Sequence, residues 1–315
     1  MKTSRRNFLK SAAGTGAAYF LLNTSAQARQ VTLLPTTRII LLGTKGGPSL
    51  GKFRSNAATL LLINETPYLI DCGYGVSRQL VSAGVSLDRL RYIFLTHHHS
   101  DHNLEYGPLL YNVWAAKKAP RLTVYGPPGL TRMTADFYRY MKFDIATRIA
   151  DEGLPDPRRL VTTREFHRGG LVMKNSEVTV RSFRVRHPPI TQSYAYRFDT
   201  NDRSIVISGD TAYAARLAEF ARGADVLIHE VMYLPAIEKL LKQFPAASRL
   251  REHLLASHTT TEDVGRIAQQ AGVKTVVLTH FVPGDDPEIT DEQWTAGVQK
   301  HFKGQIIVGK DLMEI

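Results

Sequence analysis

The chain has 315 residues, 43% of them hydrophobic and 22% charged, which excludes a disordered or collagen-like polypeptide and leaves ample chain to bury a core. The formal net charge is +11, but Lys2, Arg5, Arg6 and Lys10 contribute four of those charges within an acid-free start, so only about +7 bears on a nucleic-acid reading. The single cysteine, Cys72, excludes an internal disulfide.

In chain order, residues 1–28 combine a basic start, an apolar middle from Ala17 to Leu22 and an Ala26-Gln27-Ala28 end. That is the three-part pattern of a secretory signal, and Ser4-Arg5-Arg6-Asn7-Phe8-Leu9-Lys10 resembles the twin-arginine export motif. The expected organisation is therefore a signal at 1–28 and one domain at 29–315, delivered to the periplasm by the twin-arginine machinery. No later run approaches the length of a membrane span. Strands are predicted at Arg38–Leu42, Ala57–Ile63, Tyr68–Asp71, Tyr92–Thr96 and Leu122–Tyr125. Helices fall between them at Val76–Ala83 and Leu104–Ala116, and another runs to about Lys142. Residues 150–170 are polar, contain Pro155 and Pro157, and read as a surface excursion. Strands follow at Val178–Val185, Tyr194–Phe198, Arg203–Ile207, Val226–Ile228 and Thr275–Leu278. The helices there are predicted at 213–221, within 235–256, at 262–271 and at 291–301. Val264, Ile267, Ala268 and Ala271 give the third of these an apolar face, and Thr259 and Glu262 have capping-box spacing before it. Strand clusters in both halves with helices around them predict a layered α/β protein.

Four of the eleven histidines lie in Thr96-His97-His98-His99-Ser100-Asp101-His102-Asn103, directly after an apolar strand. Imidazole and carboxylate suit borderline divalent metals such as zinc. Residues two apart in an extended loop share a side, so His97 and His99 can meet one metal while Asp101 and His102 reach a second and His98 points elsewhere. Two metals need further ligands, and His187, Asp210, His229 and His280 each follow a predicted strand, where open α/β sheets place functional groups.

The order and spacing of His97-x-His99-x-Asp101-His102, His187, Asp210 and His280 resemble the metallo-β-lactamase superfamily, and within it the tRNase Z and arylsulfatase-like phosphodiesterase branch. Leu42-Gly43-Thr44, Ile70-Asp71-Cys72-Gly73, Ser208-Gly209-Asp210-Thr211, His229-Glu230, Ser257-His258-Thr259-Thr260 and Thr279-His280-Phe281 support it. The resemblance implies a single-domain αββα sandwich with two zinc ions in a cleft at one edge. By position, His97, His99 and His187 would hold the first metal and Asp101, His102 and His280 the second. Asp210 would bridge both, and Asp71 would steady the 97–102 loop. A metal-bridging hydroxide would then attack an ester, with Asp101, His258, His229 and Glu230 as the catalytic candidates. His258 either meets the scissile phosphate and leaving group at a helix start or is a loop histidine. His229-Glu230 either positions and moves protons or braces the ligands. Lone His167, His253 and His301 read as surface residues.

Cys72 precedes the metal loop and cannot replace Asp210, which argues against a cysteine-ligand β-lactamase. tRNase Z enzymes usually carry a long arm between the third histidine and the bridging aspartate, and only 22 residues separate His187 from Asp210 here. With the export signal, this favours an exported hydrolase of small anionic phosphodiester or aryl sulfate esters that binds no stable nucleic acid. The alternatives are a lactonase or carboxylic-ester hydrolase, and a tRNase Z-type endoribonuclease for 3′-tRNA processing. Arg184 and Arg186 near His187 would suit an anionic substrate, and residues 138–160 form either a lid or a packed surface element. The branch is compatible with a homodimer.

Overall fold

The computed structural model describes residues 37–315 except 117 and 119, so the signal expected at 1–28 lies outside the described residues. Within them, strands follow one another as β1 (Thr37–Gly43), β2 (Ala58–Ile63), β3 (Thr66–Ile70), β4 (Tyr92–Phe94), β5 (Leu122–Gly126), β6 (Val161–Glu165) and β7 (Gly170–Lys174). The second half adds β8 (Val178–His187), β9 (Ile190–Thr200), β10 (Ser204–Ile207), β11 (Val226–Met232), β12 (Thr275–Val282), β13 (Gln305–Val308) and β14 (Met313–Glu314). They form two seven-stranded sheets, ordered β14-β1-β2-β3-β4-β5-β6 and β13-β12-β11-β10-β9-β8-β7.

Alternation along the strands builds three apolar layers. Ile39, Leu41, Leu61, Ile70 and Phe94 of the first sheet meet Val180, Tyr196, Phe198, Ile205, Ile228 and Val277 of the second. The intervening residues Ile40, Leu42, Leu60, Leu62 and Ile93 face outward onto helices Val76–Ser82, Tyr106–Trp114 and Leu130–Tyr140. On the far side, Leu227, Val276 and Leu278 meet helices Ala215–Phe220, Thr261–Ala271 and Asp291–Gln299. The result is a single-domain αββα sandwich. Strands covered on both faces are apolar at nearly every position, as Ala58–Ile63 and Val226–Met232 are.

Two readings need correction. Residues 150–170 are not merely an excursion: Val161–Glu165 pairs in parallel with β5 at the edge of the first sheet, and Gly170 begins the edge strand of the second. The helix at 261–271 is capped by Thr260, whose side chain accepts from Asp263 N at 3.3 Å, while the Thr259 hydroxyl donates to Thr211 O at 2.6 Å. Residues 138–160 are a packed element. Tyr138 and Ile145 join the outer core of the first sheet, and the segment contributes nothing to the cleft described below.

Candidate metal centre

Strands β8 and β10 run in the same direction, since each is antiparallel to β9, and β10, β11 and β12 are mutually parallel. Their C-terminal ends therefore share one edge of the sandwich. His187 closes β8, Asp210 follows β10 and His280 lies late in β12. On the first sheet, β3 and β4 are parallel and end at the same edge, delivering Asp71 and the loop from Thr96 to Asn103. His99 is extended there (φ −76°, ψ 150°) and caps the short helix Ser100–Asn103.

Special backbone geometry aims the ligands. The β11–β12 ladder pairs Glu230 with Thr279 and Val231 with Phe281, so His280 is the extra residue of a bulge, with φ 45°. Bulges re-aim side chains beside functional sites, and a non-glycine residue at positive φ is held there by its surroundings. Asp71 (φ 62°) is a second such case. Gly46 approaches His280 so closely that a Cβ would lie 2.6 Å from its ring. Gly209, at φ 57°, turns the chain into Asp210 where a Cβ would meet Tyr194 O at 2.7 Å.

Seven side chains converge. His99 Nδ1 lies 3.1 Å from His97 Nε2 and 3.0 Å from His187 Nε2, and Asp210 Oδ2 is 3.9 Å from each of the latter two nitrogens. Asp210 Oδ1 is 3.2 Å from His102 Nε2, and Oδ2 is 3.2 Å from His280 Nε2, which also lies 3.2 Å from Asp101 Oδ2. These fall into two groups able to hold a cation, His97-His99-His187-Asp210 and Asp101-His102-Asp210-His280, with Asp210 common to both. His98 points away, 3.0 Å from Pro128 O.

The chemistry of the set fits a metal pair. His102 Nε2 and Asp210 Oδ1 are fully buried with no hydrogen-bond partner, which a buried polar atom does not tolerate cheaply. Burial, reinforced by neighbouring imidazoles, holds His97 well below its ordinary value and His99 down at about 4, so both present neutral rings. Burial also opposes a charge on His102, but Asp210, Asp71 and Asp101 outweigh it and hold that ring well above its ordinary value. The cluster thus carries more carboxylate than its histidines neutralise, and cations would complete it. Behind the ligands, Asp71 Oδ2 accepts from His102 Nδ1 at 2.8 Å, and Thr96 N donates to Asp71 Oδ1 at 2.8 Å. Ser257 O accepts from His187 Nδ1 at 3.0 Å. The bonds to His102 and His187 put an Nδ1 proton away from the cluster and turn Nε2 toward it.

Glu230 and His258 stand at the edge of this cluster. Glu230 accepts from Thr211 N (3.2 Å) and Thr259 N (3.0 Å), and its other oxygen accepts from His258 Nδ1 (3.2 Å). Burial would lower His258, but Glu230, with Asp210 and Asp101 behind it, holds it at about 9. His229 does not share this position: its Nδ1 donates to Glu230 O at 2.6 Å and its side chain is fully buried in β11.

Above the cluster opens a cleft of about 770 Å³. One side is the loop from Lys45 to Leu50, where buried Lys45 donates to Gly46 O, Gly47 O and Ser49 Oγ, and Gly47 N donates to Asp101 Oδ2 at 2.7 Å. The facing wall comes from helices Ile237–Leu241 and Leu250–Ser257 and the connection between them, and is largely apolar, through Leu240, Phe244, Leu250 and Leu254. His253 lines this wall, so it is not the surface residue its polar sequence neighbours suggested. Lys45 and His253 are the two site residues the sequence reading missed. Leu42-Gly43-Thr44 stops one residue short of the first, and nothing local pointed to the second.

The sequence model of the beta-lactamase superfamily domain matches residues 66–281. Ribonuclease Z of Mycolicibacterium gilvum (strain PYR-GCK) is 32% identical over 283 residues, covering 88% of this chain and 95% of its own. Ribonuclease Z of Mycobacterium bovis (strain BCG / Pasteur 1173P2) is 33% identical over 284 residues, covering 88% and 97%. Among solved structures, human tRNase Z, short form, matches with a TM-score of 0.62 at 21% identity over 88% of this chain and 98% of that one. The metallo-beta-lactamase fold protein YhfI from Bacillus subtilis matches with a TM-score of 0.64 at 21% identity over 89% and 98%, and these two likenesses bear on the fold. The chain belongs to the metallo-β-lactamase superfamily, in its tRNase Z branch. It is a metal-dependent hydrolase of ester bonds, and its fold implies a dinuclear metal site, which the His/Asp cluster matches.

These relatives overturn two expectations. The reading as an exported hydrolase of small phosphodiester or aryl sulfate esters, and the matching partner reading of a small anionic ester with no nucleic acid, do not stand against relatives named ribonuclease Z along almost their whole length. The missing arm and the export signal had carried both. Yet 283–284 aligned positions spanning 88% of this chain and 95–97% of those relatives leave no room for a long arm that they have and this chain lacks. The short His187–Asp210 connection therefore does not separate this chain from ribonuclease Z.

Proposed function

We propose that this chain is a tRNase Z-type endoribonuclease that removes 3′ extensions from precursor tRNA, with two zinc ions as its resident metals. The observation that carries the reading is the shared Asp210 between two histidine groups with the Glu230–His258 pair at their edge, in a chain 33% identical to a ribonuclease Z over 88% of its length. His97, His99 and His187 would hold one ion, Asp101, His102 and His280 the other, and Asp210 both. When bound, such a pair activates water as a nucleophile near neutral pH and neutralises charge on a phosphoryl group. The chain's own groups do the rest. Asp71, Thr96 and Ser257 fix the ring orientations, and Asp101, tied by Gly47 N–H, orients the water. His258, held by Glu230, gives a proton to the leaving oxygen.

The test is cleavage of a precursor tRNA with a 3′ trailer by the zinc-loaded protein. The reading expects a single cut at the trailer junction, with affinity falling steeply as salt rises. No cleavage by protein that holds two metals per chain would reject it. We also infer that residues 1–28 act as a twin-arginine signal that places the mature enzyme in the periplasm, an address that bears against a precursor-tRNA substrate and makes the location of the N-terminus a second test of the endoribonuclease reading. A processed N-terminus at residue 29 in a periplasmic fraction supports this, and an intact N-terminus retained in the cytoplasm opposes it.

A further inference from the structure

His253 stands over the metal cluster without belonging to either ligand group. Its ring centre lies 6.0 Å from that of His99, 5.9 Å from that of His187 and 5.9 Å from that of His258. The helix Leu250–Ser257 places it there: Leu250, His253, Leu254 and Ser257 are spaced i, i+3, i+4, i+7, so one face of the helix meets the cleft and the core beneath it.

Its hydrogen bonding sets the tautomer of the ring. The Ser257 hydroxyl donates its only proton to Pro188 O at 2.5 Å. At its other contact, 3.3 Å from His253 Nδ1, it must therefore accept, so Nδ1 carries the ring proton. Nε2 of the neutral ring is then an acceptor. The same Ser257 positions His187 through its carbonyl oxygen, so the orientation of His253 is tied to that of the cluster. A phosphate resting on the cluster would bring the hydroxyls of its flanking riboses to this wall. Beside His253, Leu250, Leu254 and Phe244 offer an apolar surface to the attached base.

We propose that His253 Nε2 accepts a hydrogen bond from the 2′-hydroxyl of a ribose flanking the scissile phosphate, and so makes this enzyme select RNA over DNA at the cut. The inference rests on the endoribonuclease reading above. A 2′-hydroxyl is both donor and acceptor and is the group by which a protein distinguishes the two nucleic acids. Of the cleft residues, His253 is the neutral imidazole whose ring stands within about 6 Å of the rings of His99, His187 and His258.

The experiment compares wild type with His253→Ala and His253→Gln on a precursor tRNA, and on the same RNA carrying 2′-deoxy at one or the other nucleotide flanking the cut. Metal content and melting temperature are measured for each protein. The expected result is that wild type loses about tenfold in kcat/KM on one deoxy substrate. His253→Ala should lose about the same on the all-ribo substrate and nothing further on the deoxy one, His253→Gln should recover part of the loss, and all three proteins should hold two metals. Equal penalties for His253→Ala on ribo and deoxy substrates would overturn the proposal, as would full activity of His253→Ala on RNA. If wild type cleaves none of the substrates, the endoribonuclease reading itself fails, and it fails separately from the His253 proposal.

Discussion

The floor and the wall of the cleft are built on opposite principles. The floor is sheet ends: His97, His102, His187, Asp210 and His280 are all buried at or just beyond strand termini, and Asp71 and Ser257 O brace His102 and His187. The wall is two short helices, Ile237–Leu241 and Leu250–Ser257, joined by residues 242–249, which are all exposed. Lys239 crosses from the wall to Asp286 (2.8 Å) and Glu288 (2.5 Å) at the cleft mouth, through surface ion pairs of small worth. The difference assigns chemistry to the floor and substrate choice to the wall. A rigid floor fixes charges within tenths of an ångström, while a partly exposed wall can vary without disturbing the core.

That contrast can be broken by mutation. The largest effect belongs to Asp210→Ala, which removes the group common to both sites. Turnover should fall by about 10³-fold or more, and metal content should drop below two ions per chain by elemental analysis. Next, His258→Ala should lower kcat by about 10²-fold with both metals retained. Burial opposes a charge on His258 and Glu230 restores it, to about 9, so the protonated ring persists through neutrality and is lost as pH rises through that value. Glu230→Gln should therefore move the alkaline limb of the kcat profile to lower pH. Asp71→Ala, which frees the ring of His102, should weaken metal binding by about 10- to 100-fold in a competitive chelator titration, with little loss of turnover at saturating metal. The smallest effect is expected in the wall. Phe244→Ala, at a residue 38% exposed, should leave the melting temperature and metal content unchanged and raise KM a few-fold. A wall variant that cost metal, or a floor variant that changed KM alone, would erase the distinction.

What the sequence made legible follows the same division. Four histidines and an aspartate packed into residues 97–102 leave little besides a metal loop, and the repeated strand-then-ligand pattern brought in His187, Asp210 and His280. Alternating apolar runs exposed the central strands. The edge strands were harder to see: Val161–Glu165 is half-buried at best and carries Thr162, Thr163, Arg164 and Glu165, and Met313–Glu314 is two residues long. Edge strands need polar residues, so their composition reads as loop. The bulge that turns His280 inward was equally invisible, because it is a property of the pairing between β11 and β12. His253 was missed for a related reason. Its immediate neighbours Arg251, Glu252 and Leu255 are exposed, and only the packing of its helix against Val282 and Met232 shows which face meets the cleft. The substrate reading rested on an absent arm and an export signal, and it failed against ribonuclease Z relatives that align with this chain along almost their whole length.

The most direct test of the account is a single-turnover assay of the zinc-loaded wild-type protein and its Asp210→Ala variant on one 3′-extended precursor tRNA, with metal content measured on the same samples. The account predicts a cut at the trailer junction by wild type holding two ions, and no cut by a variant that has lost at least one of them. Wild type that holds two ions and leaves the RNA intact, or a variant that still cuts it, would contradict the account.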